Sequence, residues 1–327
     1  MKPLPTLFKT NKSLQQRTSF RQFGQEGNRL MTNKRNKLKT ETATRRDIPL
    51  NWDVFVTPGI PMGTSDLPPG VKQEMWSPIS STLIYGKRDT VLVDAFITIQ
   101  QADALVDWVA ASGKNLTTIY VTHGHGDHFF GIGALLDRFP NARAVATPDV
   151  VKLMRQQTSP GFVANSWSTW FPSQIPERLV IAEELKRNVI DLEGHDLVVV
   201  EVGHTDTDHT TVLHVPSVGL VVAGDVAYND VHLYLAESNA QTRREWISAL
   251  GTIESLNPRA VIAGHKRPGS DDNPRIIEET RQYIRDFDRV AGMTTTAREL
   301  YDKMLELYPD RVNPGLALWL SARATKP

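Results

Sequence analysis

The chain has no cysteine among its 327 residues. That excludes disulfide cross-links, thiolate catalysis and thiolate metal ligation, although it assigns no compartment. An excess of charge of one sign is missing too: 37 Lys and Arg face 37 Asp and Glu, so no global field favours nucleic acid or an anionic membrane. No run approaches the ~20 apolar residues that a membrane-spanning helix requires, and the expectation is a soluble, cytoplasmic body without a transmembrane segment. With 40% hydrophobic residues the chain can bury a sizeable core. Its length suits one large α/β domain with additions, or two small ones.

The charge balance fails at the start of the chain. Residues 1–46 carry twelve Lys or Arg against two acids, with many Ser, Thr, Asn and Gln. Such a segment cannot bury enough surface to offset its ordering entropy, which predicts a disordered basic arm. It lacks the apolar centre of a secretory signal. Its Arg-rich, acid-poor composition is like that of an organellar transit peptide, and a nucleic-acid or membrane tether is another use. Met31 as the true start is a further alternative. The ordered domain is expected over residues 47–327.

Histidine is scarce, nine in all, yet three of them and an aspartate fall within six positions of "YVTHGHGDHFFG", Tyr120 to Gly131. The flanks read as a buried strand, "LTTIYVT", and an amphipathic helix, "FFGIGALLDRF", so the cluster sits where a strand hands over to a helix. Loops at that place converge outside the sheet and commonly carry sites. Neutral imidazole and carboxylate suit a divalent metal, zinc first, with iron or manganese as alternatives. His123 and His125, two apart on an extended loop, can share one ion, and Asp127 and His128 can face a second. Three further strand-like runs end in Gly followed by a ligand-type residue: His204 after "DLVVVEVG", Asp225 after "VGLVVAG" and His265 after "RAVIAG".

In order, His123, His125, Asp127, His128, His204, Asp225 and His265 resemble the ligand set of the metallo-β-lactamase-fold hydrolase superfamily. The resemblance runs from about residue 49 to the C-terminus and is specific for the metal motifs. It implies a four-layer αββα sandwich with a helical C-terminal extension and two Zn2+ ions. His123, His125 and His204 would hold the first ion, Asp127, His128 and His265 the second, with Asp225 bridging. A bridging carboxylate and the lack of cysteine place the chain nearer the glyoxalase II and lactonase branch than the true β-lactamases. "GHTDTDH" departs from the lactonase pattern "GHTxGH", with His209 one place late. Asp94, ending the first hairpin, would orient a metal-binding imidazole.

Two ions sharing a site activate a bridging hydroxide and polarise a carbonyl beside it. The expected activity is hydrolysis of a small ester, lactone or thioester. Asp127 would pass a proton to the leaving group, and Tyr228, three residues beyond Asp225, would either donate to the substrate carbonyl or oxyanion or pack against the next helix. Alternatives are a mononuclear iron dioxygenase on the same fold and, last, a nucleic-acid processing protein using the basic arm.

Around the motifs, Ser81–Ala95 and Thr210–Asp225 read as hairpins, with turns at Gly86–Asp89 and Pro216–Gly219. A helix begins at the capping box Thr98/Gln101, with Ile99, Ala102, Leu105, Val106 and Val109 on one face. Another carries Trp246, Ile247, Leu250, Ile253 and Leu256. Trp108 and Trp246 read as core. Residues 152–190 read as an inserted lid, its aromatics Phe162, Trp167, Trp170 and Phe171 either lining an apolar substrate pocket or fixing the insert to the body. Residues 274–327 read as a helical tail with a capping box at Thr296/Glu299, serving a homodimer, a pocket wall or a cover for the sandwich. Of the other histidines, His195 reads as a turn residue, His214 as mid-strand, and His209 as support for a ligand.

Overall fold

The computed structural model describes residues 48–68 and 70–326. The basic arm expected over residues 1–46 lies outside the described residues. Among the described residues thirteen strands appear in chain order: β1 (Asn51–Thr57), β2 (Ile60–Met62), β3 (Glu74–Trp76), β4 (Ile79–Tyr85), β5 (Asp89–Val93), β6 (Asn115–Tyr120), β7 (Arg143–Ala146), β8 (Glu183–Glu184), β9 (Val189–Leu192), β10 (His195–Gly203), β11 (Thr210–Val215), β12 (Leu220–Asn229) and β13 (Ala260–Lys266). One sheet runs β1-β4-β5-β6-β7-β8 and the other β13-β12-β11-β10-β9, while β2 and β3 form a small ladder apart. Both large sheets are mixed: β5, β6, β7 and β8 are parallel to one another, as are β12 and β13.

Strand alternation explains why these sheets stack. Successive side chains point to opposite faces, and here both faces are apolar. Ile84, Val91, Val93, Leu213, Val222 and Ile262 meet in a core between the sheets. Their neighbours Leu83 and Leu92 face one outer helical layer, and Val212, Val221 and Val261 the other. The first outer layer holds α1 (Ile99–Ala111), α2 (Ile132–Arg138) and α3 (Pro148–Gln157). The second holds α4 (Ala240–Ser255), α5 (Ile276–Met293) and α6 (Ala297–Leu307), and a short α7 (Leu320–Thr325) ends the chain. This is the four-layer αββα arrangement. None of the described helices is long and apolar enough to cross a membrane.

Both expected hairpins are present, as β4–β5 and β11–β12, and so are both capping boxes, at Thr98/Gln101 and Thr296/Glu299. Trp246 is fully buried, its indole N–H donating to the Val226 carbonyl at 2.8 Å. Trp108 is only partly buried, stacked on Phe55. Three local expectations need correction. Ile99 is exposed and Val106 only half-buried, because α1 turns a narrower stripe to the sheet. The helix after the histidine cluster covers only Ile132–Arg138, since the Gly131 N–H is taken by the carbonyls of Ala95 and Phe96. His195 is not a turn residue; it opens β10, opposite Leu192, and is buried.

The insert takes the form of short helical turns between Pro160 and Trp170, ahead of β8. Residue 152 lies within α3, and residue 190 within β9. In the tail, α5 and α6 cover the second sheet. Leu316, Ala317 and Leu320 turn back to form one wall of a cleft. The Trp319 indole N–H donates to Asp66 (3.0 Å), and Arg323 pairs with the same carboxylate.

Candidate metal centre

Residues at or just beyond the ends of β6, β10 and β13, and Asp225 from a bulge within β12, supply the candidate side chains. After β6 a 3-10 turn over Gly126–His128 compresses the motif, so that Asp127 and His128 are buried beside His123. In β12 the register with β13 shifts twice: Gly224 faces Ala263, but Tyr228 faces His265. This bulge takes Asp225 out of the ladder, and Tyr228 rejoins it opposite His265. Gly224 has φ +51°, and a Cβ there would lie 2.7 Å from Thr122 Oγ1. At Gly264 a Cβ would lie 2.2 Å from Asp225 Oδ1. Side chains are excluded at both positions.

The loop after β5 clasps the cluster from behind. Asp94 and Phe96 adopt φ of 63° and 51°, a left-handed conformation that costs free energy in non-glycine residues and concentrates near functional sites. The Asp94 carboxylate accepts from the Thr122 N–H (2.9 Å), the Thr122 hydroxyl (2.8 Å) and His128 Nδ1 (2.9 Å). The Ala95 N–H donates to the His128 carbonyl at 2.7 Å.

Every candidate imidazole has one nitrogen tied outward. His123 Nδ1 meets Thr122 Oγ1 at 3.0 Å, His125 Nε2 meets Glu237 at 3.1 Å, and His128 Nδ1 meets Asp94. His204 Nδ1 meets Asp208 at 2.6 Å, and His265 Nδ1 meets the Pro78 carbonyl at 3.0 Å. Carboxylates and carbonyls only accept, and the Thr122 proton is committed to Asp94. The outward nitrogen of each ring therefore carries a proton, so the inward nitrogen is the one that would turn its lone pair to a metal once an ion displaces its own proton.

The inward atoms converge. His123, His128 and Asp225 form one group whose ligand atoms lie within 4.8 Å of one another; Asp127, His128 and His265 form a second, and His123, His125 and Asp206 a third. Six of the seven sequence candidates are thus brought together. The seventh, His204, lies outside these groups, with its Nε2 buried and without a hydrogen-bond partner. Asp206 was missed by sequence reasoning. It is fully buried, its Oδ2 2.9 Å from His125 Nδ1 and 3.5 Å from His123 Nε2. The available signal was its place two residues beyond His204, the same spacing as His123 and His125. His209 does not support the cluster: it is exposed and 3.8 Å from Asp149.

Electrostatics favour a cation here. Burial opposes the charged form of His265, yet the Asp225 carboxylate and the contact with Asp127 push its pKa up to about 10. Burial likewise opposes charge on His128 and His125. Asp225, Asp127 and Asp94 raise the first well above its ordinary value, and Glu237 and Asp206 raise the second. His123 goes the other way, lowered by burial and by the neighbouring His128 charge. Asp225 is held well below the usual carboxylate range despite burial, chiefly by His265 and His128. The field that holds protons on these rings attracts a divalent ion for the same Coulombic reason.

Five buried atoms of the cluster and its loop have no aligned hydrogen-bond partner: Nε2 of His123, His128 and His204, Asp206 Oδ2 and Asp225 Oδ1. His128 Nε2 and Asp225 Oδ1 are 3.4 Å apart but are not aligned to bond. Each orphaned polar atom costs about 1–3 kcal/mol. Five together approach the ~5–15 kcal/mol by which whole domains are stable. The donor set, imidazole and carboxylate without thiolate, fits divalent ions of intermediate hardness.

Above the cluster a cavity of about 120 Å³ is lined by Trp76, Phe162, Trp167 and Trp170 on one side and by His125, Tyr234 and Glu237 on another, with Asp225, Tyr228 and His265 also in its wall. Three of the four insert aromatics therefore line it. Phe171 does not; it is buried edge-on against Trp76 (centroids 5.4 Å). The Trp76 indole N–H donates to Asp127 Oδ2 at 3.0 Å. The Tyr228 hydroxyl donates to Asp225 Oδ2 at 3.0 Å, and its ring stacks on His265.

Residues 75–265 match the metallo-beta-lactamase superfamily, and the chain belongs to it. Hydroxyacylglutathione hydrolases from Francisella tularensis subsp. novicida (strain U112) and subsp. holarctica (strain LVS) are each 33% identical over 64 residues. That is 20% of this chain and 24% of each relative, so the chain matches about a quarter of their length. A metallo-beta-lactamase family protein from Thermus thermophilus superposes with a TM-score of 0.55 at 20% identity, covering 83% of this chain and 91% of that one. The DIM-1 metallo-beta-lactamase gives 0.53 at 17% identity, covering 73% and 97%. These similarities to solved structures establish the fold. Family and site together define a metallo-hydrolase with a buried His/Asp metal-binding cluster.

Proposed function

We propose that the protein is a dinuclear metal-dependent hydrolase of a small ester, lactone or thioester with an apolar part. The observation that carries this reading is the set of five orphaned buried atoms of ligand type, one of them on Asp225 in the wall of an aromatic-lined cavity. By family correspondence His123, His125 and His204 would hold one ion, Asp127, His128 and His265 the other, and Asp225 would lie between them. A pair of divalent ions supplies a water of lowered pKa and a polarised carbonyl, so no Ser or Cys nucleophile is required. The short match to hydroxyacylglutathione hydrolases supports including thioesters.

The protein's own groups have separable tasks. Trp76, Trp167, Trp170 and Phe162 would bury the apolar part of the substrate and exclude water from the reacting carbonyl. Asp127, bonded to the Trp76 N–H and 3.4 Å from His265 Nε2, would carry a proton to the leaving group. Tyr228 holds Asp225 by a hydrogen bond, and a substrate oxygen reaching the cavity floor would compete for that phenolic proton.

The test is elemental analysis of the wild type beside Asp225→Ala, with lactone, aryl-ester and thioester hydrolysis measured on the same samples. About two zinc ions per chain, and loss of both metal and activity in the variant, are expected. A single iron per chain with no hydrolysis of any substrate would replace the proposal with the oxygenase reading, which the His123, His125 and Asp206 grouping favours, since two imidazoles and one carboxylate are a recurrent iron(II) set.

A further inference from the structure

We infer that Asp206 is a ligand of the first metal position, and that its carboxylate tilts that position toward the harder divalent ions manganese and iron(II). The inference rests on the metal centre proposed above and adds a residue that the family correspondence does not supply.

Four observations point to it. Asp206 is fully buried, and its ion-pair partners are the imidazoles of His123 and His125 rather than a Lys or Arg. Its two oxygens are used unequally. Oδ1 accepts from the Thr205 hydroxyl at 2.8 Å, while Oδ2 faces the imidazoles without an aligned bond. An aspartate retained only to shape the loop would turn its carboxylate to nearby backbone N–H groups, as aspartates in turns do. Here the buried Oδ2 takes none. Third, the spacing fits: 2.9 Å and 3.5 Å to the inward nitrogens of His125 and His123 are the separations expected between ligands that each lie about 2.0–2.2 Å from one ion.

The fourth is charge. Burying an uncompensated carboxylate costs several kcal/mol, and Asp206 joins Asp94, Asp127 and Asp225 in one buried cluster. Four carboxylates balance two divalent ions, and without Asp206 one positive charge would be left over. A second carboxylate beside the shared Asp225 also moves the donor set of the first position toward oxygen, which favours the harder ions. His204 and Asp206 lie two residues apart on the loop that follows β10, and of the two it is Asp206 that groups with His123 and His125.

Full-length wild type, Asp206→Asn and Asp206→Ala are compared by titration with Mn2+ and with Zn2+, following bound Mn2+ by its paramagnetic resonance and folding by circular dichroism. Mn2+ affinity at one of two positions should fall on the order of a hundredfold in both variants, and Zn2+ affinity by roughly tenfold. Unchanged Mn2+ affinity in a folded variant overturns the inference, and so does an equal loss for the two metals. Wild type that binds neither metal instead removes the metal-centre reading itself. If neither variant folds, a crystal structure of the wild type grown with Zn2+ decides. An Asp206 oxygen about 2.0–2.2 Å from the zinc held by His123 and His125 supports the assignment, and a carboxylate turned away from that ion refutes it.

Discussion

The two ends of the cluster are made of different material. Asp127, His128, Asp225 and His265 are buried, and their outward contacts run to the rigid frame: Asp94 on its left-handed loop, the Pro78 carbonyl and the Trp76 indole. His125 and His204 are steadied instead by Glu237 and Asp208, whose side chains are 43% and 68% exposed. Contacts of the first kind cannot shift without moving a strand. Those of the second kind can rearrange in water, so the outer end has the freer side chains, whereas the inner end is fixed by the frame.

The largest effect should come from attacking the inner end through its backbone. Gly264→Ala puts a Cβ 2.2 Å from Asp225 Oδ1 and 3.0 Å from His128 Cε1. Hydrolysis should fall by on the order of a hundredfold or more, because misplacement of about an ångström costs that much, and about 1–3 kcal/mol of stability should go with it. A variant with wild-type turnover would mean the inner end is not rigid. The next comparison is direct. Asp94→Asn keeps a residue that tolerates positive φ but removes the charge facing His128, and metal affinity should drop about 10–100-fold. Glu237→Gln removes a half-exposed, screened partner of His125 and should cost only a few-fold. Equal losses in calorimetric metal titrations would erase the distinction between the ends.

The smallest effect on the centre should come from outside both ends. His232 is buried, 3.0 Å from the Tyr283 hydroxyl, and burial, with the Arg311 charge second, lowers its pKa to about 3. It stays neutral in the fold, while in the unfolded chain it takes a proton near its ordinary pKa of 6.5. Its contribution to stability is therefore intact above pH ~6.5 and is lost as pH falls from there toward 3, by at most about 1.4 kcal/mol per pH unit. His232→Gln should flatten the fall in Tm between about pH 6 and pH 4, with zinc affinity at neutral pH unchanged. A variant whose Tm falls as steeply as the wild type's would exclude this group as the source.

Much of the architecture was legible in local pattern. Polar turns at Gly86–Asp89 and Pro216–Gly219 between β-rich runs specify hairpins, and Thr98/Gln101 and Thr296/Glu299 specify helix starts, because each depends on neighbours a few residues apart. The cluster "HGHGDH" was legible for the same reason. Less legible were effects that depend on distant partners. The short α2 results from carbonyls more than thirty residues away taking the Gly131 N–H, and Phe171 leaves the cavity wall because Trp76, from β3, covers it.

The sequence by itself determined the class of chemistry: imidazoles and carboxylates at strand ends, no thiol, and a family whose fold gathers them. Those are properties of residue type and spacing, and they survive any detail of packing. Only the tertiary structure decided which side chains face inward. The β12 bulge takes Asp225 out of the ladder, the outward tethers choose which nitrogen of each histidine faces inward, and the loop after β10 turns Asp206 toward His123 and His125. The physical reason is that orientation is set by contacts between segments far apart in the chain, and no local pattern encodes a contact with a partner it does not contain.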